Sequence, residues 1–252
     1  MLVVLPTLGD RLDTLELALE SVSAQRAESD ITLVVVLPAS AVDAIALAKN
    51  HGAVIVDDPR AGLAGAMNAG LAARTDEAFY CGLGDDDLLR PGGIALLLEL
   101  IDRNPGAVVA YGACDYIDAD GEVIGTNRAG ALAARIIAWG PNLVPHPGTL
   151  IDLDALQAVG GFDESRPFTM DLDAFLKVKK RGRFVSSQVA VSAFRWHPDS
   201  TTVSNRRLSN REARAVKRSH LPAGLRPVSP LWSYPVGWAT TVASRLVNSR
   251  AS

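Results

Sequence analysis

Cysteine is scarce in this 252-residue sequence, which contains only Cys81 and Cys114. Neither residue lies in a Cys-x-x-Cys or Cys/His cluster, so the sequence excludes a disulfide framework and disfavours a zinc site. We expect both to be buried free thiols of a protein that works in the reducing cytoplasm.

Long apolar runs are also missing. The longest stretch without a charged residue, 227–244, is interrupted by prolines and a glycine and contains several serines and threonines. A membrane-spanning helix needs about 20 consecutive apolar residues, so we expect none here. The N-terminus lacks a basic region ahead of an apolar stretch, and we therefore expect no secretory signal.

Three common ligand-binding and catalytic signatures are absent as well. No Gly-x-Gly-x-x-Gly follows the first apolar run, which disfavours a dinucleotide site, and no P-loop signature occurs anywhere in the chain. A serine hydrolase is disfavoured because the Gly-x-Ser-x-Gly elbow is missing.

The composition is typical of a soluble globular protein, because 48% of the residues are apolar and 21% are charged. The formal net charge of −3 conceals two oppositely charged parts. Residues 1–174 carry 10 Lys and Arg against 26 Asp and Glu, whereas residues 175–252 carry 15 against 2. This division indicates an anionic partner for the C-terminal part.

Residues 1–110 alternate short apolar runs with helical patterns, which predicts an α/β protein with a mostly parallel sheet flanked by helices. Strands are expected at residues 2–5, 31–37, 53–56 and 79–83, and helices at 12–25, 41–50, 62–74 and 94–101. Beyond them we expect strands at 107–111, 148–152 and 184–194, a hairpin turn at 118–121, and helices near 130–139, 152–159 and 171–181.

Three consecutive carboxylates, Asp85, Asp86 and Asp87, follow the strand expected at residues 79–83. They repel each other unless a cation lies among them, and open parallel sheets bind ligands at the carboxyl ends of their strands. Hard oxygen ligands on a short turn suit Mg²⁺ or Mn²⁺ that bridges to substrate phosphates. The alternative is a solvated turn in which Asp87 caps the next helix.

Two further groups are candidates for a functional site. Asp171 and Asp173 open an expected helix, where Asp171 could act as a general base, although acidic residues at a helix start also simply complement the helix dipole. His146 and His197 lie on short turns beside strands. Each is either a functional group or an ordinary surface or core histidine.

Six segments follow one another in a recognisable order: VVLPTLGDRLDTLELALESVSAQ (3–25), GLAGAMNAGLAA (62–73), LGDDDLLRPGG (83–93), HPGTLIDLDALQAVGGFDES (146–165), MDLDAFLKV (170–178) and FRWHPDSTT (194–202). As a set they resemble the family-2 glycosyltransferases, which are inverting enzymes of the GT-A fold that use nucleotide sugars. Met67 and Met170 stand where that family usually has an arginine and an acid.

The resemblance implies one Rossmann-like GT-A domain at residues 1–205, with a nucleotide-sugar-binding half at 1–110 and an acceptor or catalytic half at 111–205. Residues 206–252 would then form a basic and aromatic tail, helical or irregular. The implied reaction is a single displacement that moves a sugar from a nucleotide-diphosphate donor to a hydroxyl of a carbohydrate or lipid-linked acceptor. Such enzymes serve cell-surface polysaccharide or glycoconjugate synthesis.

The resemblance also implies roles for individual residues. Asp171 is the expected general base. A Mn²⁺ or Mg²⁺ ion is expected on Asp86, Asp87 and His197, although a literal Asp-x-Asp pattern would choose Asp85 and Asp87. The donor is expected to contact Pro6, Thr7, Asp57, Asp58, Asn68 and Asp85. The sugar or the acceptor is expected to contact His146, Gly148 and Asp173.

The second strand departs from the family's pattern. It ends in Leu37-Pro38-Ala39-Ser40, where an acid usually helps to hold the nucleotide base. Base recognition would then rest on Thr7, on Asp57 or Asp58, or on backbone groups, and the identity of the base stays open.

Two other functions stay open at this point. A sugar-1-phosphate nucleotidyltransferase has a similar layout, but residues 6–11 supply only Gly9 and Arg11 of the phosphate-binding loop that it requires. A catalytically silent binding or scaffold module is permitted by Met67 and Met170, although the retained carboxylates argue against it.

The tail combines a basic stretch at residues 206–218 with Trp232, Tyr234 and Trp238. It could dock on anionic lipid at the inner face of the membrane. Alternatively it forms a solvated basic helix followed by a segment packed on the acidic part of the same chain. No nucleic-acid-binding module accompanies the basic residues, so we expect no nucleic-acid partner.

Overall fold

The computed structural model describes residues 1–196 and 206–238. The strands within these ranges belong to one sheet. They are β1 (Leu2–Pro6), β2 (Thr32–Leu37), β3 (Val54–Asp57), β4 (Phe79–Gly82), β5 (Leu88–Leu89), β6 (Ala107–Ile117), β7 (Val123–Asn127), β8 (Leu150–Asp152) and β9 (Arg183–Arg195).

Helices cover both faces of the sheet. They are α1 (Leu12–Gln25), α2 (Val42–Asn50), α3 (Gly62–Leu71), α4 (Gly93–Asp102), α5 (Gly130–Ile136), α6 (Leu153–Gln157), α7 (Met170–Val178) and α8 (Arg206–His220). A 3₁₀ turn at Ala223–Leu225 leads to a further helical segment at residues 230–238, called α9 below. None of the described helices is long and apolar enough to cross a bilayer.

The sheet runs in the order β3-β2-β1-β4-β8-β6-β9-β5, and β7 pairs with β6. The strands from β3 to β4 are parallel. β8 is antiparallel to β4 and to β6, while β6 and β9 are again parallel. Because β1, β2 and β4 are parallel, their carboxyl ends meet at one edge, where ligands of open α/β sheets bind.

The strand β1 shows how the sequence builds two hydrophobic layers. Its side chains alternate between the two faces of the sheet, so Leu2 and Val4 join one apolar cluster and Val3 and Leu5 join the other. All four are fully buried. The helix α3 lies so close to this strand that a Cβ atom at Gly70 would clash with Val4.

The described elements confirm the predicted α/β architecture and place most elements within a few residues of their expected positions. The predicted hairpin is present, since β6 and β7 pair on either side of the turn at Asp118–Gly121. The strand β5 was not predicted, because its two residues are too few for a periodic pattern. Cys81 and Cys114 are buried and free, as expected.

Candidate active site

The acidic turn begins directly where β4 ends, at the ligand-binding edge of the sheet. The Thr7 hydroxyl, which follows β1, donates a hydrogen bond to Asp85 Oδ2 at 2.6 Å. The Arg11 guanidinium joins two of the carboxylates, with Nη2 at 2.5 Å from Asp85 Oδ1 and Nη1 at 2.8 Å from Asp86 Oδ2. Asp85 and Asp86 therefore both point towards the same cation, the Arg11 guanidinium.

The third carboxylate of the turn, Asp87, is held differently. Its Oδ1 accepts the backbone N–H of Arg195 at 3.0 Å, and the buried Arg195 side chain also donates to the carbonyl oxygens of Asp86, Asp118 and Ala119. Burial, together with the neighbouring charge of Asp86, raises the pKa of Asp87 to about 8. This carboxylate thus ties the turn to β9 and to the β6–β7 hairpin.

The donor set of the turn fits a divalent cation only in part. No group of three or more Asp, Glu, His or Cys side chains in residues 1–196 and 206–238 is arranged to hold a metal. Magnesium sites, however, commonly use one or two carboxylates and take their other ligands from water and substrate phosphates. Asp85 and Asp86 meet that requirement, and in Asp87 one of the two carboxylate oxygens, Oδ1, accepts the hydrogen bond from Arg195. His197 lies outside the described residues.

The second part of the site surrounds Asp171, in the first turn of α7. Asn142 Nδ2 donates to Asp171 Oδ2 at 3.1 Å. Burial raises the pKa of Asp171 above its ordinary value, because the positive field of His146 and the Asn142 hydrogen bond offset only part of the desolvation. The same burial lowers the pKa of His146, although Asp171 opposes the shift. Each group therefore acts on the charge of the other.

His146 is fixed by its neighbours in the turn before β8. Its Nε2 lies 3.2 Å from the hydroxyl of Tyr80, and its ring packs edge-on against Phe162 with centroids 6.0 Å apart. Phe162 belongs to the Gly-Gly-Phe-Asp segment at 160–163. This aromatic packing fixes the imidazole close to the end of β4.

The two parts of the site are adjacent because both border the end of β4. Pro147 bridges to Gly82, and a Cβ atom at Gly82 would lie 2.7 Å from the His146 ring. Asp85 follows Gly82 by three residues, a stretch that spans at most about 11 Å. A substrate of nucleotide-sugar size could therefore reach both the acidic turn and the His146–Asp171 pair.

The helix α8 braces α7 at two points. Glu212 Oε1 accepts the Phe168 N–H at 3.1 Å and the Thr169 hydroxyl at 2.7 Å, immediately before α7 begins. His220 Nε2 lies 3.1 Å from Asp173 Oδ1. The basic helix α8 is therefore packed on α7 rather than separate from it.

Asp173 is buried and engaged by cations. Lys177 Nζ lies 2.6 Å from its Oδ2, while His220 occupies Oδ1. Burial alone would raise the pKa of Asp173, but the contacts with His220 and Lys177 outweigh it and lower the pKa. These contacts favour a structural role over the expected contact with the sugar or the acceptor.

The residues expected at the donor lie in different settings. Pro6 and Thr7 are at the end of β1, beside the acidic turn. Asp57 ends β3 and Asp58 follows it, and their carboxylates accept the backbone N–H groups of Ala39 and Arg60 respectively. Both therefore lie at the same edge of the sheet but further along it.

Asn68 and Gly148 have clear local roles. The Asn68 side chain exchanges two hydrogen bonds with the Phe162 backbone, each 2.9 Å long, and so holds the loop that packs on His146. Gly148 has φ of +74°, and a Cβ atom there would lie 2.7 Å from Ser192 Cβ. Its position keeps the turn after His146 close to β9.

Several residues of the site were not found from the sequence. Asn142 and Tyr80 have no motif around them, and Glu212 lies in a stretch read only as basic. Arg11 was considered solely as part of a phosphate loop. The one available signal was Glu212 itself, the single acid between residues 206 and 238.

Comparison with known proteins identifies the family. The model of glycosyl transferase family 2 matches residues 2–150. A curated relative, the uncharacterized protein y4gI of Sinorhizobium fredii, is 29% identical over 153 residues. That match takes in 57% of this chain but only 16% of the relative's own length.

Solved structures agree in fold. S. aureus TarS in complex with UDP-GlcNAc has a TM-score of 0.66 and 16% identity, over 87% of this chain and 64% of that one. The mannosyltransferase PcManGT from Pyrobaculum calidifontis, in complex with GDP-Man and Mn²⁺, has a TM-score of 0.64 and 16% identity, over 97% of this chain and 74% of that one. These likenesses confirm the predicted GT-A type α/β fold.

Proposed function

The chain belongs to glycosyl transferase family 2, and from its site we propose that it moves a sugar from a nucleotide-diphosphate donor to an acceptor hydroxyl with inversion. One observation carries the proposal. Asp171 lies in the first turn of α7 with a raised pKa and feels the charge of His146, whose ring lies against Gly82, three residues before the acidic turn.

We propose that Asp171 is the general base. Its carboxylate takes the proton of the acceptor hydroxyl while the hydroxyl oxygen forms a bond to the anomeric carbon. On the opposite side the bond from that carbon to the diphosphate breaks, and the electron pair leaves with the diphosphate. A raised pKa suits this role, because a base is most effective when its pKa approaches the working pH.

Asp86, together with Asp87 or Asp85, would hold a divalent cation, Mn²⁺ or Mg²⁺. When bound, such a cation offsets the negative charge that develops on the leaving nucleoside diphosphate. The Arg11 guanidinium already contacts both Asp85 and Asp86. From that position it could also donate a hydrogen bond to a phosphate oxygen of the donor. His197 remains part of the proposed set of ligands.

For the donor we propose contacts at Pro6, Thr7, Asp57 and Asp58. The sugar or the acceptor would contact His146 and Gly148, which lie beside the end of β4 at the ligand-binding edge of the sheet. We propose a carbohydrate or lipid-linked acceptor and a role in cell-surface polysaccharide or glycoconjugate synthesis. The buried free thiols suit a reducing cytoplasm as the compartment.

The proposal is tested with a panel of UDP- and GDP-sugars. Purified protein with Mn²⁺ is screened by thermal shift for a stabilising donor, and release of the nucleoside diphosphate is then measured. Asp171→Asn should still bind that donor but lose about 10²–10⁴-fold in turnover, because an amide cannot accept the proton. Turnover by the variant near the wild-type rate would contradict the assignment of the base.

The same assay separates the alternatives. A sugar-phosphate nucleotidyltransferase would release pyrophosphate from a nucleoside triphosphate and a sugar 1-phosphate. A silent binding module would be stabilised by a donor but would turn over none of the panel.

A further inference from the structure

The helix α9 exposes its apolar side. Leu231 is 77% exposed, Tyr234 is 61% exposed and Trp238 is 72% exposed. These positions follow the i, i+3, i+7 spacing of one helix face, and Pro235 belongs to the same face and is also exposed. A surface helix normally turns such a face towards the core, so this apolar stripe requires a partner.

Another side of α9 packs on the rest of the chain. The ring of Trp232 packs against that of Trp139 with centroids 5.4 Å apart. Ser229, just before the helix, is buried. The packing of Trp232 therefore fixes the orientation of α9, in which Trp238 and the apolar stripe face solvent.

A row of arginines lies beside the apolar stripe. On α8, Arg207, Arg211, Arg214 and Arg218 follow the i, i+4, i+7, i+11 spacing of one face, while Glu212, Val216 and His220 lie on the side that contacts α7. The Arg214 guanidinium lies 4.8 Å from the centroid of the Tyr234 ring. This contact joins the arginine row of α8 to the apolar stripe of α9.

The charge of this region is strongly positive. Residues 206–238 contain seven Lys and Arg and a single acid, Glu212, whose carboxylate is engaged at the start of α7. Arg207, Arg211 and Arg218 are exposed. The surface formed by the arginine row and the apolar stripe, called the docking face below, thus presents cations next to Trp, Tyr and Leu.

We propose that the docking face binds an anionic phospholipid surface. Tyr and Trp favour the interface between water and acyl chains, and each arginine near an anionic leaflet adds electrostatic attraction. A second copy of this chain would bring two arginine rows together, and an acidic protein would leave the apolar stripe unmatched. Because α8 also braces α7, docking would hold the catalytic helix near acceptors in the membrane.

The test is co-sedimentation of the full chain with vesicles, which requires no catalytic activity. The vesicles contain phosphatidylcholine alone or an equimolar mixture with phosphatidylglycerol, at low and at high salt. We expect binding to the anionic vesicles only, weakened at high salt.

Two variants separate the two parts of the face. Leu231→Ser with Trp238→Ser should abolish most of the binding. Replacing Arg207, Arg211 and Arg218 by serine should weaken it on the order of 100-fold, at about fivefold for each charge removed. Matched controls at other exposed positions should bind like the wild type: Val42→Ser with Val123→Ser, and serine at Arg60, Arg103 and Lys180.

Other outcomes would overturn the proposal. Absence of binding, equal binding to neutral vesicles, or equal losses in the control variants would each do so. A dimer in sedimentation equilibrium that is lost in the Leu231→Ser, Trp238→Ser variant, without vesicle binding, would assign the face to a second copy. None of these results bears on the sugar-transfer proposal, since the donor assay is independent.

Discussion

Asn142 offers the sharpest check on how the site tunes Asp171. Its side chain donates to Asp171 Oδ2 at 3.1 Å, a contact that favours the charged carboxylate. A hydrogen bond to a charged group contributes about 1.5–3 kcal/mol, and one pKa unit corresponds to about 1.4 kcal/mol. Because both residues are half-buried and the hydrogen bond is long, we expect its contribution to lie at the lower end of this energy range. Asn142→Ala should raise the pKa of Asp171 by about one unit.

The consequence for catalysis has a definite sign. Asp171 works as a base only when it is ionised, so a higher pKa moves the acid limb of the kcat profile to higher pH. Below that limb the variant should be about tenfold slower than the wild type, whereas at high pH it should be nearly equal. Folding should change little, because Asn142 Oδ1 is itself buried without a hydrogen-bond partner among the described residues.

The assay is nucleoside diphosphate release across the pH range, with unfolding followed in parallel. Asn127→Ala is the matched control, since the Asn127 side chain holds the same loop through the Leu143 carbonyl. It should leave the acid limb in place. The reasoning is refuted if the limb of the Asn142→Ala variant does not move, or if its kcat falls by the same factor at every pH.

Three further predictions follow from the contacts of the site. Asp86→Asn should abolish the Mn²⁺-dependent part of donor binding in calorimetry, and unchanged metal-dependent affinity would contradict it. Glu212→Ala should destabilise the fold by about 1 kcal/mol and lower kcat, because the Thr169 hydroxyl at the start of α7 loses the oxygen that accepts its hydrogen bond. Glu212→Gln keeps an acceptor oxygen and should recover most of the stability and most of kcat. Gly148→Ala should cost about 1–3 kcal/mol in urea unfolding, because its φ is positive and a Cβ would crowd Ser192.

The parallel half of the sheet could be predicted because local patterns determine it. Residues 2–5 and 31–37 are apolar runs that end at prolines, and helical periodicity fills the space between them. The acidic turn could be located for the same reason, since its three carboxylates directly follow a core strand. Asp171 was selected through its motif, because a helix start alone does not distinguish a base from a dipole partner.

Long-range contacts could not be predicted in this way. The partner of Asp87 is the backbone of Arg195, more than a hundred residues away, and no periodicity encodes that pairing. In the sequence, Glu212 is one acid within a basic helix, and nothing there indicates its hydrogen bond with Thr169, which forms only in the folded chain. Likewise, the helical spacing of Leu231, Tyr234 and Trp238 predicts an apolar face on α9. Only the packing of Trp232 on Trp139 shows that this face points away from the protein.

Direct attack at the anomeric carbon, assisted by Asp171, is the central step of the proposed reaction. Water can replace an unknown acceptor, so early proton NMR spectra of donor hydrolysis report the configuration of the released sugar before it equilibrates. From an α-linked nucleotide sugar, a single displacement should release the β-anomer first, and Asp171→Asn should slow its appearance. Initial release of the α-anomer would contradict a single displacement.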